Sequence, residues 1–145
     1  MAQMMEGEIV RNRPDSGNLC KARFYVCADC GNILVSTAGA SVFCCGRKLE
    51  AAAAQDAQEG AVAFSQVDGE WFVQIDHPME KTHSLSFAAL VKGDEVLLRR
   101  LYPEQEAQLR LPFTRMGRLF FYCTRDGLFS CALPRPARRD QTPGI

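Results

Sequence analysis

Phe24-Tyr25-Val26-Cys27-Ala28-Asp29-Cys30-Gly31-Asn32, followed later by Ser41-Val42-Phe43-Cys44-Cys45-Gly46-Arg47, carries four of the seven cysteines of this 145-residue chain. A C-x2-C pair sets two sulfurs across a tight turn, and Gly31 directly after it lets backbone N–H groups approach them with no side chain in the way. The second pair is adjacent. Neighbouring side chains of an extended strand point to opposite faces, so Cys44 and Cys45 can reach one metal only if the chain turns sharply there, and Gly46 supplies the freedom to turn. The expectation is a tetrahedral four-thiolate site of Cys27, Cys30, Cys44 and Cys45, filled by iron or zinc. A knuckle of this size, residues 23–50, has almost no hydrophobic core, so the metal is expected to supply most of its folding energy.

Composition narrows the setting. Hydrophobic residues make up 47% and charged residues 23%, which is globular composition. Lys+Arg and Asp+Glu balance at 17 each, leaving no net field to attract nucleic acid or an anionic membrane. Met1 to Arg13 holds no continuous apolar stretch, and no later run approaches the roughly 18 apolar residues of a membrane span. A cytoplasmic protein with no membrane and no nucleic-acid partner is expected. An odd number of cysteines with a C-x2-C pair suits reduced thiolate ligands in that compartment better than a disulfide framework.

On either side of the knuckle the pattern changes. Residues 1–22 carry no helical or strand periodicity and read as an N-terminal extension, with Cys20 an uninvolved thiol. Residues 51–59 are alanine-rich and read as a linker with some helical character, too short for a helix stable alone. From 60 to 134 the signals are those of strands. Val67-Asp68-Gly69 between β-prone runs marks a hairpin, and Leu85, Phe87, Ala89 and Val91 alternate on one face of the next run. Seven short strands at close spacing, with almost no helix, predict an antiparallel sandwich of immunoglobulin-like architecture, followed by a flexible tail at 135–145. The fold class expected is therefore mainly β: a small rubredoxin- or desulforedoxin-like metal knuckle, then an immunoglobulin-like β-sandwich.

Both histidines fall in Asp76-His77-Pro78-Met79-Glu80-Lys81-Thr82-His83. Neutral imidazole is the commonest protein ligand for transition metals, and Pro78 would fix the loop that holds the pair. Taken alone, two histidines six apart are a weak signal, and a turn cap plus a surface residue is the favoured explanation. Tyr122-Cys123-Thr124-Arg125-Asp126-Gly127 adds a thiolate and a carboxylate three apart at a strand-to-turn junction, where both could face one metal. Cys123 as a core cysteine is the alternative. Cys131, in the apolar run Leu128 to Leu133, reads as a packed thiol, Trp71 and Phe72 as core or interface aromatics, and Arg99-Arg100 as a solvated strand edge.

With these motifs in this order, the sequence from Arg23 to Leu133 resembles the desulfoferrodoxin family, the two-domain superoxide reductases. The resemblance implies a rubredoxin-like iron centre at Cys27, Cys30, Cys44 and Cys45. It also implies a ferrous centre in the sandwich, with four histidines, one axial cysteine thiolate and a sixth position open to superoxide. There superoxide takes one electron and two protons and leaves as hydrogen peroxide, with electrons supplied by a small donor such as rubredoxin. A homodimer is expected on the same ground.

The departures are specific. His77 and His83 fall on two of the family's histidines and Cys123 on its axial cysteine, but the histidine of the late motif is Asp126 here. Counting back from the Asp68-Gly69 turn brings the earliest histidine to Gly60 and the lysine thought to guide superoxide to Glu59. Three of five ligands remain, with Asp126 a candidate fourth. Such a set suits zinc as well as iron. Its loss of ligands should weaken metal binding beyond the roughly 10- to 100-fold typical of changing the groups that hold the ligands in place. Arg125 is the candidate to replace the missing lysine's charge. Two functions follow: an iron-binding redox protein that reduces superoxide, or a non-enzymatic relative whose four-cysteine centre is an electron carrier or structural staple. A zinc-ribbon interaction module fits less well, given the neutral charge and the Cys44-Cys45 pair.

Overall fold

The structure, a computed structural model, describes residues 19–134. Most of the expected extension and all of the expected tail lie outside these residues. A single 3-10 turn, Leu19–Lys21, precedes the knuckle, and no helix among the described residues is long and apolar enough to cross a membrane. The knuckle is two antiparallel hairpins, β1 (Arg23–Val26) with β2 (Ile33–Ser36) and β3 (Val42–Cys44) with β4 (Arg47–Leu49). The alanine-rich linker is extended and not helical. Its strand β5 (Gln55–Asp56) pairs in parallel with the last strand of the sandwich, β12 (Gly127–Ala132), and the Ala57 N–H donates to the Ser130 carbonyl. Tertiary pairing decides here over the helix propensity of a run too short to hold itself.

The seven expected sandwich strands are all present: β6 (Val62–Val67), β7 (Glu70–Ile75), β8 (Leu85–Val91), β9 (Val96–Arg100), β10 (Gln108–Pro112), β11 (Arg118–Cys123) and β12. They form a three-stranded sheet in the order β10-β7-β6 and, with β5, a five-stranded sheet in the order β5-β12-β11-β8-β9. Asp68 and Gly69, at φ 53° and 78°, make the two-residue turn between β6 and β7 that an Asp-Gly pair favours. Period-2 alternation sends Trp71, Val73 and Ile75 of β7, Leu109 and Leu111 of β10, and Leu119, Phe121 and Cys123 of β11 into one shared core. Trp71 is thus a core aromatic, as expected, and Cys131 packs against the same core from a half-buried position.

Strand β8 is buried at all seven positions, more than its sequence alternation implies. The first reason is a register shift. Opposite β11, Tyr122 pairs with Phe87 but Cys123 pairs with Leu85, so Ser86 is left as an extra residue. The bulge puts Leu85 into the core between the sheets, while Phe87, Ala89 and Val91 face the other way, so the four do not share one face. The second reason is the knuckle. Phe24, with Val26 and Ile33, covers that outer face and forms a second cluster with Phe87, Ala89, Val91 and Leu128. Burying a phenylalanine contributes about 1.5–3 kcal/mol, so the knuckle gains packing energy from the sandwich in addition to any metal. Arg99 and Arg100 are exposed on the edge strand β9, as expected, and Arg100 makes contacts there. Its guanidinium donates to the Ser86 carbonyl and to Ser86 Oγ at 3.1 Å, and stacks 5.0 Å from the Tyr102 ring centroid.

Candidate metal centres

The first centre is built by two turns. Cys27 follows β1, and the Gly31 N–H closes the C-x2-C turn on the Cys27 carbonyl at 2.8 Å, with Gly31 at φ 78°. Cys44 ends β3, and Cys45-Gly46, at φ 54° and 76°, is the two-residue turn into β4. Two successive left-handed residues supply the sharp reversal that lets adjacent cysteines face one point. The Sγ atoms of Cys27, Cys30, Cys44 and Cys45 lie within 4.8 Å of one another. Cys30 and Cys44 sulfurs stand 3.6 Å apart, close to the about 3.8 Å edge of a tetrahedron with metal–sulfur bonds of about 2.3 Å. Asn32 Nδ2 reaches Cys44 Sγ at 3.6 Å. The Cys30 N–H aimed at Cys27 draws its thiol down to about 7, whereas the crowded thiols of Cys30, Cys27 and Cys44 push Cys45 up to about 12. Four sulfurs so close do not all ionise unaided, and a cation that replaces their protons resolves the conflict. The residues fit a thiophilic metal.

The second centre lies where the loop before β8 meets the turn between β11 and β12. His77 Nε2 is 3.3 Å from Cys123 Sγ, and the His77 and His83 rings meet edge to face with centroids 4.6 Å apart. His77, His83 and Cys123 each offer a donor atom within 4.8 Å of the other two. The Met79 N–H donates to His77 Nδ1 at 3.2 Å, which turns Nε2 toward the sulfur. Cys123 is buried, and its sulfur accepts from the N–H groups of Arg125 at 3.4 Å and Asp126 at 3.3 Å. Ser84 and Thr124 lock the two loops together: the Thr124 N–H donates to the Ser84 carbonyl, and the Ser84 N–H to Thr124 Oγ1. Burial, then the neighbouring His83, pulls His77 below its ordinary value, so it stands as a neutral ligand-type imidazole.

His83 carries the decisive feature. Its Nε2 is buried with no aligned hydrogen-bond partner, although Asp126 Oδ2 lies 3.4 Å away. The distance is that of an ion pair, but the carboxylate is off the ring's donor direction, and the nitrogen is left unsatisfied. A buried unsatisfied imidazole nitrogen beside a second imidazole and a thiol fits a metal with nitrogen and sulfur preference. Asp126 Oδ2 is also 3.7 Å from Cys123 Sγ, which places this exposed carboxylate at the edge of the triad.

Two cavities border His77. One, about 410 Å³, is lined by Asp76, Glu104 and Glu106 among others. The second, about 260 Å³, touches both His77 and Cys123 and has Asp76 and Asp126 on its lining. Gly60 and Glu59 line neither, and face a third hollow with Phe64 and Cys131. Arg125 gives the site its backbone N–H, and its side chain is on the lining of neither cavity at His77. Sequence reasoning missed Asp76, whose only signal was its place directly before His77. It also missed the Met79, Arg125 and Asp126 N–H groups, which no side-chain pattern reveals.

Comparison with solved structures sets this fold beside the crystal structure of the superoxide reductase from Treponema pallidum, with a TM-score of 0.63 at 18% identity, covering 76% of this chain and 96% of that one. The superoxide reductase from Nanoarchaeum equitans aligns with a TM-score of 0.36 at 15% identity, over 56% of this chain and 98% of that one. No protein-family model and no curated protein matches the sequence. The Treponema likeness shows the architecture: this chain has a superoxide reductase-like β-sandwich bearing a four-cysteine knuckle.

Proposed function

We propose that this chain is an iron-binding redox protein of the superoxide reductase superfamily. Its four-thiolate centre passes electrons, and a second mononuclear centre at His77, His83 and Cys123 reduces superoxide, with Asp126 as a supporting donor. The observation that carries the reading is the unsatisfied, buried His83 Nε2 facing a thiol and a second imidazole. Iron held there would give one electron to superoxide, which with two protons leaves as hydrogen peroxide. The chain's own groups prepare that chemistry. The N–H groups of Arg125 and Asp126 stabilise negative charge on Cys123, and Met79 fixes the His77 ring. Re-reduction comes from a small donor such as rubredoxin, and the resemblance favours a homodimer.

The test is the iron-loaded protein exposed to superoxide. Two irons per chain, with peroxide formed faster than in buffer and no dioxygen evolved, supports the reading. A rate equal to buffer at full iron loading ends the superoxide part. One observation favours a second, non-enzymatic reading: the cavity at His77 and Cys123 is lined by carboxylates and by no lysine or arginine. On that reading a single metal per chain is lost in Cys27→Ser and unaffected in His77→Ala, and the knuckle is an electron carrier or structural staple.

A further inference from the structure

We propose that Gln55, in the strap that joins the knuckle to the sandwich, is a positioning residue for the second centre: its side-chain amide holds the turn that aims Asp126. The inference rests on that centre holding a metal with Asp126 as a donor, and it adds what keeps that donor in place.

The turn between β11 and β12, residues 124–126, is held from two sides. At its front, Thr124 is tied to Ser84 by a pair of hydrogen bonds. At its back, Gln55 Nε2 donates to the Asp126 carbonyl at 2.9 Å, across 71 positions of sequence. Packing does not fix Asp126, because its side chain is 56% exposed, and Gly127 directly after it, at φ 96°, gives the backbone freedom to swing. Yet Asp126 meets the centre at three points. Its N–H reaches Cys123 Sγ at 3.3 Å, and its Oδ2 lies 3.4 Å from His83 Nε2 and 3.7 Å from Cys123 Sγ. A carbonyl anchored from outside restricts ψ of Asp126, and so restricts where its carboxylate points.

Gln55 can act in this way because it is itself held. Strand β5 sets Gln55 opposite Phe129 and Asp56 opposite Ser130, and the Ala57 N–H donates to the Ser130 carbonyl at 2.9 Å. Three residues before Gln55, the Ala52 N–H donates to the Phe24 carbonyl at 2.8 Å. The amide thus stands between an anchor in the knuckle and an anchor in the sandwich, which limits the entropy lost when it bonds to the turn. Beyond Gln55 the strap runs on beside the centre, where Ala57, Gln58 and Ala61 line the cavity at His77 and Cys123. One neutral hydrogen bond, acting through Asp126, is expected to change metal affinity by about two- to tenfold.

The full-length chain loaded with cobalt(II) gives a readout independent of activity. Visible bands lost in Cys123→Ser report the second centre. Gln55→Met keeps the length of the side chain and removes its donor. It should weaken cobalt at the second centre by about two- to tenfold, with the four-thiolate centre unchanged. It should also shift the Cys123-dependent d–d bands in the same direction as Asp126→Asn does, and add no further shift in the double variant. A role in folding alone would leave those bands in place. Gln55→Leu gives the same test should Gln55→Met not fold. Absence of any Cys123-dependent band overturns the metal reading and this inference with it. Bands that are present but unmoved in both Gln55 variants, or that move as far in the Asp126→Asn background as in the wild type, overturn this inference alone.

Discussion

Phe24 of the knuckle packs on Phe87 of the sandwich with ring centroids 5.3 Å apart, and on Phe120 at 5.4 Å. Phe24 is almost fully buried, and its carbonyl accepts from the Ala52 N–H as the chain leaves the knuckle. The two parts share a core, so they should unfold together. Phe24→Ala should cost about 3–5 kcal/mol in urea unfolding. In the wild type the loss of knuckle-metal absorbance and the change in Trp71 fluorescence should coincide. Two separated transitions would show that the shared cluster does not couple them.

Gly46 tests the turn that aims Cys45. At φ 76° it meets nothing within 4 Å of an added Cβ, so the cost of Gly46→Ala is backbone strain alone, about 1–2 kcal/mol. Gly46→Asn should recover part of it, since asparagine tolerates this region. Thermal melts with metal analysis check both, and wild-type behaviour in Gly46→Ala would remove the turn from the account.

The pH dependence of the metal-free protein follows from His77, whose burial depresses it below its ordinary 6.5. As pH falls below 6.5 the unfolded chain takes up this proton before the native state does, so acid costs stability, and the effect is absent above that value. Urea unfolding of the wild type against His77→Gln should give a constant difference above pH 6.5. Below it the wild type should lose ground to the variant. Parallel curves throughout would contradict the buried, neutral assignment.

Asp126→Asn separates a supporting donor from a bystander. Removing the carboxylate beside His83 and Cys123 should weaken metal at the second centre by about 10- to 100-fold and leave the four-thiolate centre unchanged. Chelator competition, followed separately for each centre, measures this. Unchanged affinity would make Asp126 a surface residue.

What the sequence revealed depended on how local the constraint was. Cys27, Cys30, Cys44 and Cys45 were legible because ligand spacing and the demand for a turn at Cys45-Gly46 are both short-range. The seven sandwich strands were legible because alternation and Asp68-Gly69 mark them directly. Phe24 was not, since nothing in a lone apolar residue says which surface it covers. Nor was β5, where pairing with β12 outweighs the helix preference of an alanine-rich run. The bulge at Ser86 turned Leu85 away from Phe87 through a partner strand far along the chain, and the carboxylate lining beside His77 comes from Asp76 and Asp126, fifty positions apart.

Burial of β8 on both faces has a kinetic side. Its amides should be among the slowest to exchange with solvent, because opening them disrupts both hydrophobic clusters at once. Cys123 pairs directly with Leu85, the first residue of that strand, and His83 precedes Leu85 by two positions. The sulfur thus sits at the end of a strand paired with the slowest-opening part of the molecule, whereas His77, His83 and Asp126 are carried by loops. A captured ion would meet the Cys123 sulfur already in place and the loop-borne donors still able to adjust, so the loops would let the site accommodate ions of different size.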